Sequence, residues 1–179
     1  MKVQVINECG YEEALLGISL SFNQELDKMP SVARNLAFKQ GGHNKFLESM
    51  VVWVDLTAPL YWWTQMATYR VGTSFNSEST MHTLLRTPLT EHMFEGEDTS
   101  IAMLSMLNSF RSEKDLVKLK QHLPCSFLQR RIMTTNYKTL QNMVNQRSTH
   151  KMIEWHTFIQ AILDGVEHPH FLWEGSNNV

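Results

Sequence analysis

Apolar residues recur along this chain at two spacings, and the changes of spacing mark its elements. Lys2 to Ile6 alternates and is rich in valine, the two-residue period of a strand. From Tyr11 the period lengthens. Ala14, Leu15, Ile18 and Phe22 follow helical spacing, and Glu12 and Glu13 fall in the first turn, where the helix dipole favours negative charge. Ser31 to Lys39 predicts a second, short helix. Gly41-Gly42 is a break, and His43 to Met50 is long enough for two helical turns. Val51 to Leu56, β-branched and aromatic, predicts a strand. Pro59 then suits the first turn of a helix reaching about Tyr69. Gly72 to Thr80 has the composition of a turn. Thr80 is a candidate cap for a helix with Met81, Leu84 and Leu85 on one face. Ser100 to Phe110 and Ser112 to Leu123 predict two more helices. The second has Ser112 as its cap, Glu113 and Asp115 in its first turn, lysines toward its end and Pro124 as its stop. Arg131 to Thr135 is short and extended, Asn136 to Gln146 and His150 to Leu163 form the last helices, and Gly175 to Val179 reads as a frayed tail. Strand, helices, strand, helices, with no repeat or linker, predict one α+β domain over residues 1–179.

Composition narrows the function classes. With 179 residues, 42% hydrophobic and 19% charged, the chain is long and apolar enough to bury a core. The net charge is -2 and no block of like charge stands out, which argues against a broad electrostatic grip on nucleic acid. A local anion site needs only a few placed donors, so it stays open. No segment approaches the roughly 20 apolar residues of a membrane helix, and the N-terminus lacks an apolar stretch of signal-peptide length. Cys9 and Cys125 form neither a metal-ligand pattern nor a disulfide framework, which fits a reducing cytoplasm and no metal centre. Eleven methionines and five tryptophans suit an adaptable core, or an aromatic platform for a flavin or a base.

The densest polar stretch is Gln65 to Ser79, QMATYRVGTSFNSES, directly after the aromatic run Tyr61-Trp62-Trp63. A polar loop on a rigid apolar element is how binding sites are commonly built; it is also what a solvated surface loop looks like. Ser74-x-Asn76-x-x-Ser79, preceded by Thr68-Tyr69-Arg70 with Gln65 three residues ahead, resembles the signature RHRxxSxNExSxR of the flavin-dependent thymidylate synthases, the ThyX family, with one extra residue before Ser74. Gly42-His43 with Leu47-Glu48 and a valine-rich strand resembles that family's GHxSxxEH segment. Arg131 to Lys138 resembles its extended stretch, Arg147 falls at the spacing of its next arginine, and His150 and Glu154 resemble the segment that ends its site. The resemblance runs in order from about His43 to His156.

What that resemblance implies is an α+β domain with a small, mostly antiparallel sheet packed with several helices. The implied activity moves a methylene group from methylenetetrahydrofolate to carbon 5 of dUMP or a related pyrimidine nucleotide. Reduced FAD is the hydride donor and NADPH a co-substrate. The nucleotide candidates are Gln65, Arg70, Ser74, Asn76, Ser77, Ser79 and Arg131, with Arg130 as a neighbour one residue off. His156 is the implied ring-activating donor and Ser79 the other implied catalytic residue. His43, Tyr69, Arg70, Asn145, Arg147 and His150 are the flavin candidates; Lys138 is either a phosphate contact or a solvated charge. The resemblance also implies a homotetramer with sites between subunits and a bacterial or phage source.

The departures bear on activity. The first signature arginine is Thr68, the last is Met81, the acidic residue after the asparagine is Ser77, and the late arginine falls at His156. Histidine is a cation only when protonated, whereas arginine always holds its charge. A non-catalytic nucleotide- or flavin-binding module is therefore the alternative to an enzyme. The bland readings stand beside these: Ser74 and Asn76 as turn-formers, Tyr69 as core, His150 and His156 as structural. Their spacing of six is not that of metal ligands. Cys125, in Leu-Pro-Cys-Ser-Phe-Leu-Gln-Arg-Arg, resembles the nucleophile stretch of the cysteine-dependent thymidylate synthases, but the spacing differs and the chain is short for that fold.

Overall fold

The computed structural model describes residues 1–39, 41–96 and 100–174; the tail expected at 175–179 lies outside them. Among the described residues there are four strands and eight α-helices. The strands β1 (Lys2–Cys9), β2 (Val51–Pro59), β3 (Ser74–Ser77) and β4 (Leu128–Asn136) form one antiparallel sheet in the order β1-β2-β4-β3. The helices are α1 (Tyr11–Phe22), α2 (Met29–Leu36), α3 (Leu60–Met66), α4 (Thr80–Thr83), α5 (Ile101–Ser112), α6 (Leu116–His122), α7 (Tyr137–Arg147) and α8 (Ile153–Gly165). This is an α+β fold. The chain groups into two compact units. One holds Met1–Lys2, Leu56–Thr68 and Asn76–Arg131; the other holds Val3–Asp55, Tyr69–Phe75 and the described residues from Ile132 on.

The first unit buries Leu84, Leu89, Phe94, Leu107, Leu119 and Phe127, with Leu60, Leu85, Met93, Met103, Leu104, Phe110, Leu116 and Leu123 packed against them. The first turn of α3 is capped by backbone alone: Leu60 and Tyr61 donate to the carbonyls of Phe127 and Cys125, both at 3.1 Å. That satisfies two of the N–H groups a helix start leaves open. Asn108 does the same for a loop, accepting from the Leu89 N–H and donating to its carbonyl at 2.9 Å each. Pro59 precedes α3 and takes its N-cap place. Ser112 is not the cap of α6. Lys114 adopts a left-handed φ of 58° that ends the preceding helix, and the Asp115 carboxylate accepts from the Lys118 N–H. That N–H holds the carboxyl below the usual carboxylate range. Ser112 instead donates its hydroxyl to the Asn108 carbonyl in the last turn of α5.

In the second unit, β1 turns into α1 through Gly10, whose φ of 97° is a left-handed conformation. A Cβ there would overlap the Ser49 carbonyl oxygen, so the close approach demands glycine. Ala14, Leu15 and Ile18 face the core from α1, as their spacing predicts. The two turns of helix predicted over His43 to Met50 reduce to a single tight 3-10 turn, Lys45–Glu48. Asn44 is the reason. Its buried amide donates to the Ala37 carbonyl at 3.0 Å and to Gln141 Oε1 at 3.4 Å, a side-chain tie that competes with helix propagation. Gln141 spends both of its own amide protons on backbone, at 3.0 Å to Ala37 and 2.7 Å to Phe171. Strand β3 was not predicted. Ser74–Ser77 is polar and largely exposed, and its place beside β4 defines it as a strand.

A histidine and aromatic cluster closes this unit. His168 stacks on Tyr11 with centroids 3.9 Å apart, and His170 lies 4.3 Å from the Phe171 ring. Burial, then the charges of Arg34 and His168, push His170 from the ordinary 6.5 down to about 4. As pH falls below 6.5 the unfolded chain takes up this proton first, so stability is full above that value and drains away toward pH 4. The urea midpoint of His170→Asn is expected to fall less over that interval than the wild-type midpoint. Parallel slopes in the two proteins would assign the acid lability elsewhere.

Candidate functional site

Two clusters of candidate residues stand out, one in each unit, around Arg147 and around Arg131. In the second unit, the segment from Tyr69 to Phe75 is fastened to the start of α7. Asn136 caps that helix, its Oδ1 accepting from the Thr139 N–H at 2.9 Å. The Thr139 hydroxyl donates to the Val71 carbonyl at 3.3 Å, and the Thr73 and Thr135 hydroxyls lie 3.2 Å apart. Gly72 makes this closeness possible. Its φ is 70°, and a Cβ would stand 2.6 Å from Thr139 Oγ1 and 2.9 Å from Asn136 Nδ2.

This fastening holds Tyr69, only 7% exposed, against α7 and α8. The Tyr69 hydroxyl donates to Gln146 Oε1 at 3.0 Å and accepts from Arg147 Nε at 2.9 Å. The Arg147 guanidinium lies 5.5 Å from the Tyr69 centroid and 4.8 Å from that of Trp155, whose ring meets Tyr69 edge-on at 5.9 Å. His150 flanks Trp155 at 6.2 Å. Its Nδ1 accepts from the Met152 N–H at 3.2 Å, which puts the proton of a neutral ring on Nε2. His156 Nε2 lies 2.6 Å from the His150 carbonyl. A carbonyl only accepts, so that nitrogen carries a proton and donates it there. Any second donation from the exposed His156 ring comes from Nδ1 and needs the imidazolium. Asn145 and Arg70 are exposed. His43 is exposed too, and lines a cavity of about 380 Å³ with Gly17, Ile18 and Phe46.

In the first unit the centre is Arg131, half-buried on β4. Its guanidinium lies 4.3 Å over the Trp63 ring, an attraction worth about 1 to 2 kcal/mol when partly desolvated. Gln129, two residues earlier on the same face of the strand, is 9% exposed. Its Oε1 accepts from both Nε and Nη2 of Arg131, at 3.2 and 2.8 Å. Its amide donates to the Glu78 carbonyl at 3.0 Å, and its own carbonyl accepts from Trp63 Nε1 at 3.1 Å. Burial pushes the Arg131 guanidinium below its ordinary range. Neither Arg131 nor Arg147 belongs to an ion pair among the described residues.

The other nucleotide candidates line the same stretch of chain. Asn76, Ser77 and Ser79 are exposed and Gln65 is partly buried; Ser74 is exposed at the start of β3. Ser79 is the N-cap of α4 through its carbonyl, while its hydroxyl makes no cap bond. Met81 is exposed, with the Lys120 ammonium 3.6 Å from its sulfur. Arg130 is exposed, its carbonyl accepting from the Glu78 N–H, and Lys138 is partly buried on α7. Cys125 is exposed.

Gln129, Trp63, Gln146 and Trp155 did not emerge from the sequence. The predicted strand begins at Arg131, which leaves Gln129 outside it; starting the strand at Leu128 would have set both side chains on one face. A third cluster was also unforeseen. Glu8, Glu167 and His168 bring ligand-type atoms within 4.8 Å of one another, where no metal centre was expected. The Tyr137 hydroxyl bonds Glu8 at 3.0 Å, and burial followed by that carboxylate pushes the phenol up.

The α+β fold is that of flavin-dependent thymidylate synthases. Helicobacter pylori ThyX complexed with FAD and dUMP superposes with a TM-score of 0.82 over 97% of this chain and 99% of its own, at 18% identity. A second structure, thymidylate synthase X from the same organism with FAD and dUMP, gives the same score over all of both chains at 19% identity. No family model and no curated protein sequence matches the chain.

Gly72→Ala is expected to cost on the order of 2 kcal/mol, from its left-handed φ and the displaced contacts to α7. Urea denaturation measures the cost. A variant as stable as the wild type would show that the Tyr69–Phe75 segment is not fastened there.

Proposed function

We propose that the protein is a flavin-dependent thymidylate synthase-like enzyme. It moves a one-carbon unit from methylenetetrahydrofolate to carbon 5 of dUMP or a related pyrimidine nucleotide, working as a single domain over residues 1–179 in a homotetramer. The supporting observation is the pair Arg131 and Arg147. Each guanidinium lies over aromatic rings, each is held by neutral hydrogen-bond acceptors, and neither has a carboxylate partner among the described residues. A partly desolvated cation without a protein counter-ion is costly to maintain, and an anionic ligand is what offsets that cost. The two Helicobacter pylori structures of this fold hold two such ligands, FAD and dUMP. Both clusters fit these groups: aromatic faces for planar rings, free guanidinium protons for phosphate or carbonyl oxygens.

In this assignment Arg131, Gln65, Ser74, Asn76, Ser77 and Ser79 take the nucleotide. Tyr69, Arg70, Asn145, Arg147, His150 and His43 take the flavin, which when bound in reduced form supplies the hydride, with NADPH as its reductant. His156 is the proposed ring-activating donor, through Nδ1, since Nε2 is engaged by the His150 carbonyl. Negative charge builds on the ring as it is activated to use carbon 5 as a nucleophile, and a preorganised donor stabilises it.

A second reading, a non-catalytic flavin- or nucleotide-binding module, draws on Thr68 and Met81, both exposed where the resembled signature has arginine. The Lys120 ammonium beside Met81 favours the enzyme, because it restores a cation at that point.

The test begins with colour. Purified protein, or protein given FAD, is expected to show bound-flavin absorbance. With NADPH and methylenetetrahydrofolate it should convert dUMP, or one member of a pyrimidine nucleotide panel, to the methylated product by mass. Arg70→Ala should lose the flavin with no change in urea midpoint, since that side chain is exposed. Protein that binds no flavin rejects the enzyme; flavin binding without turnover of any nucleotide selects the module.

A further inference from the structure

The contacts of Arg131 are unusual in one respect: every one of them is neutral. Nε and Nη2 donate to an amide oxygen, Gln129 Oε1, and the flat of the guanidinium lies on the Trp63 indole. Both donors converge on one oxygen, a place a carboxylate oxygen could also take. A glutamate has the same bulk and would pair with Arg131 more strongly, although it could not donate to the Glu78 carbonyl. Glutamine keeps the orientation and leaves the charge unspent.

Gln129 is itself fixed from three directions. Its amide donates to the Glu78 carbonyl, its carbonyl accepts from Trp63 Nε1, and the side chain is 9% exposed. The Nε and Nη2 edge of Arg131 is therefore occupied, while Nη1 has no hydrogen-bond partner among the described residues. The guanidinium is aimed by a buried neutral amide and keeps its full positive charge and its outer donors.

We propose that Gln129 is a positioning residue that holds Arg131 as an uncompensated cation for the phosphate of a nucleoside monophosphate, so that the buried amide selects an anionic ligand over the neutral nucleoside. The proposal rests on the nucleotide-binding assignment above for the identity of the ligand, and needs neither flavin nor turnover. Gln129 touches no ligand in this scheme; it acts through Arg131.

Two variants separate charge from mechanical support. Gln129→Glu still grips Arg131 but neutralises it. Gln129→Met keeps the bulk and neutrality but removes the acceptor, so Arg131 stays charged and loses its orientation. Calorimetry with dUMP, deoxyuridine and inorganic phosphate on full-length protein, beside urea midpoints, reads both effects. Affinity for dUMP should rank wild type above Gln129→Met above Gln129→Glu. The last should be weaker than wild type by about tenfold or more, the scale of a lost charge-assisted contact. Deoxyuridine binding should change little, and phosphate should follow dUMP.

A purely structural role predicts something else: affinities for both ligands that follow the urea midpoints. That pattern, or a glutamate variant that binds dUMP as tightly as wild type, overturns the proposal. The glutamate variant loses its donation to the Glu78 carbonyl; should it fail to fold, Gln129→Met decides. It must lose discrimination between dUMP and deoxyuridine, and an unchanged ratio is a refutation. A wild-type protein that binds neither dUMP nor phosphate also refutes it. Wild-type dUMP binding without flavin binding would sink the enzyme and leave this inference standing; turnover with the wrong ranking would do the reverse.

Discussion

A guanidinium that has given up part of its water must recover the lost solvation from somewhere. In most folded proteins a carboxylate supplies it. Arg131 and Arg147 recover it from aromatic faces and from neutral oxygens, those of Gln129 and Tyr69. Such contacts orient the group and return part of the cost, but a quadrupole and a single dipole do not cancel a unit charge. The positive field stays available. Much of the surrounding chain can be understood as support for these two settings. Trp63 is anchored through Nε1 to the strand that carries Arg131, and Gly72 lets the Tyr69 segment approach α7 closely enough for Tyr69 to meet Arg147.

The local contacts also fix which ring nitrogen of two histidines is engaged. His156 commits Nε2 to a backbone carbonyl, so its capacity as a second donor depends on charge, where an arginine would have it at every pH. His150 commits Nδ1 and presents Nε2–H when neutral. Position 156 thus offers a conditional second donor, while 131 and 147 carry permanent cations.

Much of the fold was legible because its periodicities are clean. Helix α1 runs over Tyr11–Phe22, the predicted residues, since four apolar positions and a glycine-bounded start agree. Strand β2 begins at the predicted Val51. Two of the misses share one cause, namely partners distant in sequence. Ser74–Ser77 has no apolar alternation and becomes a strand through its place beside β4. The His43 to Met50 helix gives way to amides from Asn44 and Gln141 that no local window reveals. At the site, Arg131, Tyr69, Arg147 and His150 could be named from ordered motifs. What holds them could not: Gln129 and Trp63 are ordinary residues in sequence, and their role exists only in the pairing.

Gln141 carries a consequence of another kind. One side-chain amide ties the carbonyl of the residue after α2 to that of Phe171, 30 positions beyond the glutamine itself. A truncation that stops short of Phe171 would remove no ligand contact assigned above, yet it would leave a buried N–H facing nothing. The shortest stable form of this protein is thus set by an internal glutamine, and not by where the last helix ends.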